Sequence, residues 1–211
     1  MAEQLLWIHH APIQKKTQEI VGSGTDRSLS EYGLKVARSM AEVLHIMIDS
    51  DALSEPDSTI LSSPLVRSTQ TAEIIAARLG FDIQTDDRLK AQFFGDLEGR
   101  TIPELERSKR LKPYLYRYID PVSRFDSRAA GEGESVSDVW VRAMDIRRES
   151  FETAQKGRFI ITHGTVLDTI IGSIRALKHW DWDGVNREYP RSVIVDKKIE
   201  MDVIPLIKGD D

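Results

Sequence analysis

Four consecutive apolar residues, Leu5, Leu6, Trp7 and Ile8, run straight into two histidines, an alanine and a proline in the stretch Gln4–Pro12, QLLWIHHAP. A short, unbroken apolar run bounded by polar residues is how a central strand of a parallel sheet reads, buried on both faces. Sheets of that kind carry their chemistry just outside the carboxyl ends of their strands. His9 and His10 fall at such an end. Neighbouring side chains on a strand point to opposite faces, so the two histidines are not expected to ligate one metal together.

The pattern returns downstream. Thr59–Leu61 and Arg158–Thr162 read as further strands near 58–62 and 158–162, and Phe81–Thr85 as a shorter one. Ser30 is placed to cap a helix whose apolar face is Leu34, Ala37, Ala41, Leu44 and Ile48. In Ser62-Ser63-Pro64 a serine N-cap with proline at the first helical position starts a helix running to about Leu79. Ser135 with Asp138 forms a capping box for a helix over about 135–154, and Thr165 with Asp168 a second for a helix to about Leu177. Residues 13–27 read as a loop, and Ser192–Asp196 and Ile199–Pro205 as closing strands. The order strand–helix–strand–helix, then strand–helix and a last strand pair, specifies an α/β fold. It is a three-layer α/β/α arrangement with a mostly parallel central sheet and helices on both faces. At 211 residues the chain suits one such domain over 1–211.

Residues 86–133 break the pattern with Gly95, Gly99, Pro103, Pro113, Pro121, Gly131 and Gly133, and read as loops and short helices packed over the domain. From about 100 to 133 they form an irregular, helical lid insertion. Within it, eight bases (Arg100, Arg107, Lys109, Arg110, Lys112, Arg117, Arg124, Arg128) outnumber five acids (Glu104, Glu106, Asp120, Asp126, Glu132). That excess reads first as a solvated helical surface and second as a basic cover for a site.

Composition narrows the function. The chain has no cysteine, which removes disulfides and thiolate metal sites and fits a cytoplasmic location. No apolar run approaches the roughly 18 residues of a membrane span, and the N-terminus lacks a signal-type pattern. A net charge of −5 argues against broad nucleic-acid binding. An anionic substrate therefore needs a local positive pocket. The junctions Ser62–Pro64 and Thr162–Thr165 each turn from a strand end towards a helix N-terminus, whose free N–H groups and dipole favour an anion such as phosphate. Arg67 accompanies the first and His163 the second.

These residues resemble the histidine phosphatase superfamily, which includes phosphoglycerate mutase-like and α-ribazole-phosphatase-like enzymes. Ile8-His9-His10-Ala11-Pro12 is similar to the family's opening R-H-G or R-H-A-P motif. Asp26, Leu29, Ser30 and Gly33 follow its D-x-x-L-[ST]-x-x-G segment, and Ser62–Ala72 its S-S-P-L-x-R-[AS]-x-Q-T-A signature. Phe94–Gly99, Gly133–Ser135 and Thr162–Gly164 resemble its F-G-D-x-E-G, G-E-S and S/T-H-G elements, in the family's order. The resemblance implies that His10 is a nucleophile passing through a phosphohistidine. It implies that Arg67 clamps the phosphoryl oxygens and that His163 donates to the same oxygens. No cofactor and no metal is implied.

Two positions depart from the family. His9 stands where the family has arginine, and Ala91, in Leu89-Lys90-Ala91, where it has its catalytic acid. An imidazole offers fewer donors than a guanidinium and is cationic only if its pKa is raised by the anion it binds. His9 is therefore expected to bind phosphate less well above histidine's ordinary range near 6.5. Ala91 cannot protonate a leaving group, a loss worth about 10²–10⁴-fold. Glu98 and Glu134 are candidate substitute acids, although structural roles are preferred for both. The expected activity is a metal-independent phosphatase acting on a phosphomonoester or an activated phosphoryl group and weakened at these two positions. The alternative is a non-catalytic relative, a pseudophosphatase, that binds phosphate ligands or a protein. A mutase ranks last, because it needs a fully equipped pocket. The expected partner is a small phosphorylated molecule or a phosphoprotein, with neither nucleic acid nor membrane.

Overall fold

The computed structural model describes residues 4–53, 56–120, 123–174 and 192–196. Its centre is a five-stranded sheet in the order β3-β2-β4-β1-β5. Strand β1 (Gln4–His9) lies parallel to β4 (Gly157–Thr162), β4 to β2 (Pro56–Ser62), and β2 to β3 (Asp82–Thr85). Only β5 (Ser192–Asp196) runs antiparallel, on the far side of β1. The expected strand over Ile199–Pro205 lies outside the described residues.

The apolar run of β1 explains the layering. Leu5 and Trp7 pack on one face against Val139, Ala143 and Ile146 of α6 (Val136–Thr153) and Val166 and Ile170 of α7 (Gly164–Ile174). Leu6 and Ile8 pack on the other against Val36, Ala37, Met40 and Leu44 of α1 (Glu31–Asp49) and Ala72 and Ile75 of α2 (Val66–Leu79). Each large apolar side chain so buried stabilises the fold by about 1.5–3 kcal/mol. A polar residue on either face of β1 would therefore forfeit one whole layer of contacts.

Two helix starts differ from expectation. Helix α2 opens at Val66, not at Pro64. Ser63 stays with the sheet, its N–H bonded to the carbonyl of Ile161 at 2.9 Å, and its Oγ accepts the Leu65 N–H at 3.3 Å ahead of the helix. Leu65 takes that place without a capping side chain. The carboxylate of Asp26, from a distant loop, accepts the Val66 N–H instead, at 2.9 and 3.1 Å. Helix α7 opens at Gly164, so Thr165 lies inside it and forms no capping box with Asp168. The carbonyl of His163 accepts the first helical bond, from Leu167 at 2.9 Å. The serine caps expected for α1 (Ser30) and α6 (Ser135 with Asp138) are present.

The region of 100–133 holds α3 (Ile102–Arg107), α4 (Lys112–Ile119) and α5 (Ser123–Asp126). Leu105, Leu111 and Leu115 bury a small core of their own with Ile20, Phe94 and Leu97. Among the described residues, no helix is long and apolar enough to cross a membrane.

Candidate active site

The carboxyl ends of β1, β2 and β4 open onto a cavity of about 320 Å³, lined by His9, His10, Lys15, Arg67, Ala91 and His163 among others. His9 is the last residue of β1, and His10 follows as the chain leaves the sheet, still tethered by its N–H to the Thr162 carbonyl at 3.0 Å. Strict strand alternation has ended there. Both imidazoles therefore reach the same cavity, their ring centres 4.3 Å apart, which corrects the expectation of opposite faces.

Each ring's proton can be assigned from its partner. A carbonyl can only accept, so His10 Nδ1, 2.8 Å from the Ala11 oxygen, carries hydrogen. In the neutral ring Nε2 then holds a lone pair. His9 Nδ1 donates likewise to the His10 carbonyl at 2.8 Å. Burial, then the neighbouring His9 and Arg67, hold the His10 imidazole well below its ordinary value of 6.5.

His163 sits 5.0 Å from His10, ring centre to ring centre, and is 2% exposed. Arg67 Nε can only donate, and it points at His163 Nδ1 from 3.2 Å. His163 therefore carries its proton on Nε2, which donates to Ser63 Oγ at 2.8 Å, with Ser68 Oγ at 3.3 Å. Burial, then Arg67 and His10, hold His163 well below the ordinary histidine value. Ser63 receives that hydrogen bond instead of giving up its own proton, so the pair is not an activated serine.

Arg67 projects from the first turn of α2 and is 1% exposed. The loop 22–26 grips its guanidinium: Nη2 donates to Gly22 O at 3.1 Å and Nη1 to Thr25 O at 3.4 Å, with Asp26 at 3.5 Å. Gly22 lets this loop pack closely on the segment that holds Gln92 and Glu98. A Cβ there would lie 2.5 Å from the Gln92 carbonyl and 2.1 Å from Glu98 Oε1.

The candidate acids lie elsewhere. Glu98 and Glu134 are not among the residues lining the cavity. Glu98 Oε1 accepts the Phe94 N–H at 2.9 Å, and its Oε2 is buried with no hydrogen-bond partner among the described residues. Both oxygens of Glu134 take Arg142 at 3.0 Å, and one also accepts the Phe93 N–H. Arg142 further donates to the carbonyls of Arg88 and Lys90 at 2.6 Å and of Ala91 at 3.2 Å, which fixes the segment bearing Ala91 against the cavity. Sequence reasoning missed Arg142, and also Lys15, Gln92 and Tyr118 in the cavity wall. Only the seven-residue spacing of Arg142 from the cap Ser135, two turns along one helical face, hinted at it.

The chain matches the histidine phosphatase superfamily (branch 1) over residues 5–196 and belongs to that family. It is 28% identical over 178 residues to the probable phosphoglycerate mutase GpmB of Salmonella paratyphi C, covering 84% of this chain and 77% of that protein. It is 24% identical over 169 residues to phosphoglycerate mutase-like protein 4 of Arabidopsis thaliana, covering 79% and 69%. Among solved structures, Bacillus stearothermophilus YhfR superposes with a TM-score of 0.78 at 22% identity, over 95% of this chain and 94% of that one. A mycobacterial glucosyl-3-phosphoglycerate phosphatase, solved with VO3, superposes with a TM-score of 0.77 at 21% identity, over 97% and 98%. Those two share the fold.

Proposed function

We propose that this protein is a metal-independent phosphatase that works through a phosphohistidine on His10. The observation that carries the reading is the orientation of His10. Its Nδ1–H is held by Ala11 O at 2.8 Å inside the cavity, and burial keeps the ring neutral. The Nε2 lone pair attacks phosphorus, forming an N–P bond as the bond to the leaving group breaks. Water then attacks the phosphohistidine, releasing phosphate and returning the electron pair to Nε2. Arg67 and His9 hold the phosphoryl oxygens, and His163, whose own N–H goes to Ser63 rather than to those oxygens as expected, positions Arg67 by accepting its Nε–H.

With Ala91 in the acid's position, the leaving group departs without a proton from that side chain. Good leaving groups, an acyl phosphate or a phosphoramidate such as phosphohistidine, are then favoured over alkoxides. The same alanine, with His9, supports a second reading in which the protein binds a phosphorylated small molecule or protein without turnover. The test is hydrolysis of p-nitrophenyl phosphate and acetyl phosphate in the presence of a chelator, beside calorimetric binding of phosphate and vanadate. Turnover of either substrate supports the phosphatase, with acetyl phosphate the better one. Tight anion binding with no turnover supports the second reading.

A further inference from the structure

Among the described residues, the cavity wall carries two basic side chains besides its histidines, Arg67 and Lys15. The described lining residues that carry a formal charge are Lys15, Glu19 and Arg67. Arg67 is in part offset by Asp26, and some of its five N–H donors serve Gly22, Thr25 and His163. Glu19 has no side-chain exposure and pairs with Arg27 at 2.5 Å. Burial works to raise its pKa, but Arg27 and the Lys16 N–H prevail and hold the carboxyl below its ordinary value, so it stays ionised. His10 and His163 are held neutral. Lys15 is exposed on the loop after Pro12 and forms no ion pair among the described residues. It is near enough to His10 to oppose that ring's protonation.

We propose that Lys15 is a phosphoryl ligand, swinging across the cavity mouth to supply a second positive charge beside Arg67. The inference rests on the phosphoryl site proposed above. A lysine ammonium is a compact charge on a flexible stem, able to reach an anion without a preset geometry. Lys15 shares the cavity wall with the titratable and charged groups His9, His10, Glu19, Arg67, Tyr118 and His163.

The experiment is calorimetric titration of the full chain with inorganic phosphate and with vanadate, at pH 6 and pH 8 and at two salt concentrations. The variants are Lys15→Gln, Lys15→Arg, His9→Ala and, as a control off the cavity wall, Lys16→Gln. Lys15→Gln is expected to weaken phosphate about tenfold at low salt at both pH values and to flatten the salt dependence, as loss of a partly screened contact charge should. Lys15→Arg should recover most of that affinity, Lys16→Gln should bind as wild type does, and His9→Ala should weaken phosphate less than Lys15→Gln does. Unchanged phosphate affinity in Lys15→Gln, with wild type still binding, overturns the role of Lys15 and leaves the phosphoryl site standing. Wild type binding neither anion overturns the site itself, and Lys15's role with it.

Discussion

Arg67 donates its Nε–H to His163 Nδ1 at 3.2 Å, and this one bond fixes where the proton of His163 resides. A guanidinium cannot accept, so the imidazole must present Nδ1 unprotonated and carry hydrogen on Nε2. The two residues come from helix starts after different strands, and His163, its own N–H given to Ser63, holds the guanidinium in place. Lysine cannot replace that geometry, because it has no planar fork. Arg67→Lys should therefore lower turnover by about 10²–10³-fold, the scale for removing one preorganised donor. Steady-state rates with acetyl phosphate check it, and a loss below tenfold would mean that charge alone suffices.

The two depressed imidazoles predict how stability depends on pH. His10 and His163 titrate lower in the folded chain than in the unfolded one, both because of burial first and nearby positive charge second. Above the unfolded value of about 6.5 both states are neutral at these sites and nothing is gained or lost. As pH falls below it, the unfolded chain takes up protons that the native chain refuses, so stability declines until the folded pKa values are passed. Urea denaturation of wild type and His163→Gln between pH 8 and pH 5 checks this. The variant should show the shallower decline, and parallel curves would show that His163 contributes nothing to it.

Asp26 predicts a stability effect that reaches the site. It caps α2 from another part of the chain, in place of the side chain that Leu65 lacks. Asp26→Ala should cost about 1 kcal/mol, the usual worth of an N-cap. It should also loosen Arg67 on one side and so weaken phosphate binding. Denaturation midpoints and phosphate titration are the two readouts, and a variant as stable as wild type would show that water caps the helix equally well.

The sheet was legible in the sequence because Leu5–Ile8 and Phe159–Ile161 have no polar residue to offer solvent on either face. The wall of the candidate cavity was legible where a side chain lies at a strand end or helix start, as His9, His10, Arg67 and His163 do. Helix starts were misread where a tertiary partner outbid the local one. Ser63 is held by Ile161 and His163, so Asp26, 40 residues away in sequence from Val66, does the capping. Lys15 and Arg142 escaped notice for a related reason. A lysine in a polar loop and an arginine on an amphipathic helix look the same whether they face a cavity or water.

Restoring the two divergent positions separates an incomplete pocket from a repurposed one. His9 and Ala91 both line the cavity, which leaves room for larger side chains there. His9→Arg with Ala91→Glu should return a bidentate clamp and a proton donor. The gain should appear in kcat more than in binding, because both act in the transition state. Alkyl phosphate hydrolysis should rise by about 10²–10⁴-fold from the acid alone. A double variant that folds and binds phosphate but gains under tenfold would show that the pocket has diverged beyond these two residues.

The central claim is that His10 becomes phosphorylated. The direct measurement is rapid quench of the protein with excess acetyl phosphate under alkaline conditions that preserve phosphohistidine, followed by peptide mass spectrometry. The account predicts a phosphoryl adduct on the peptide containing His10. It should form faster than phosphate is released from the protein, and be absent in His10→Ala. Hydrolysis that proceeds at the wild-type rate in His10→Ala, with no adduct on wild type, would contradict it.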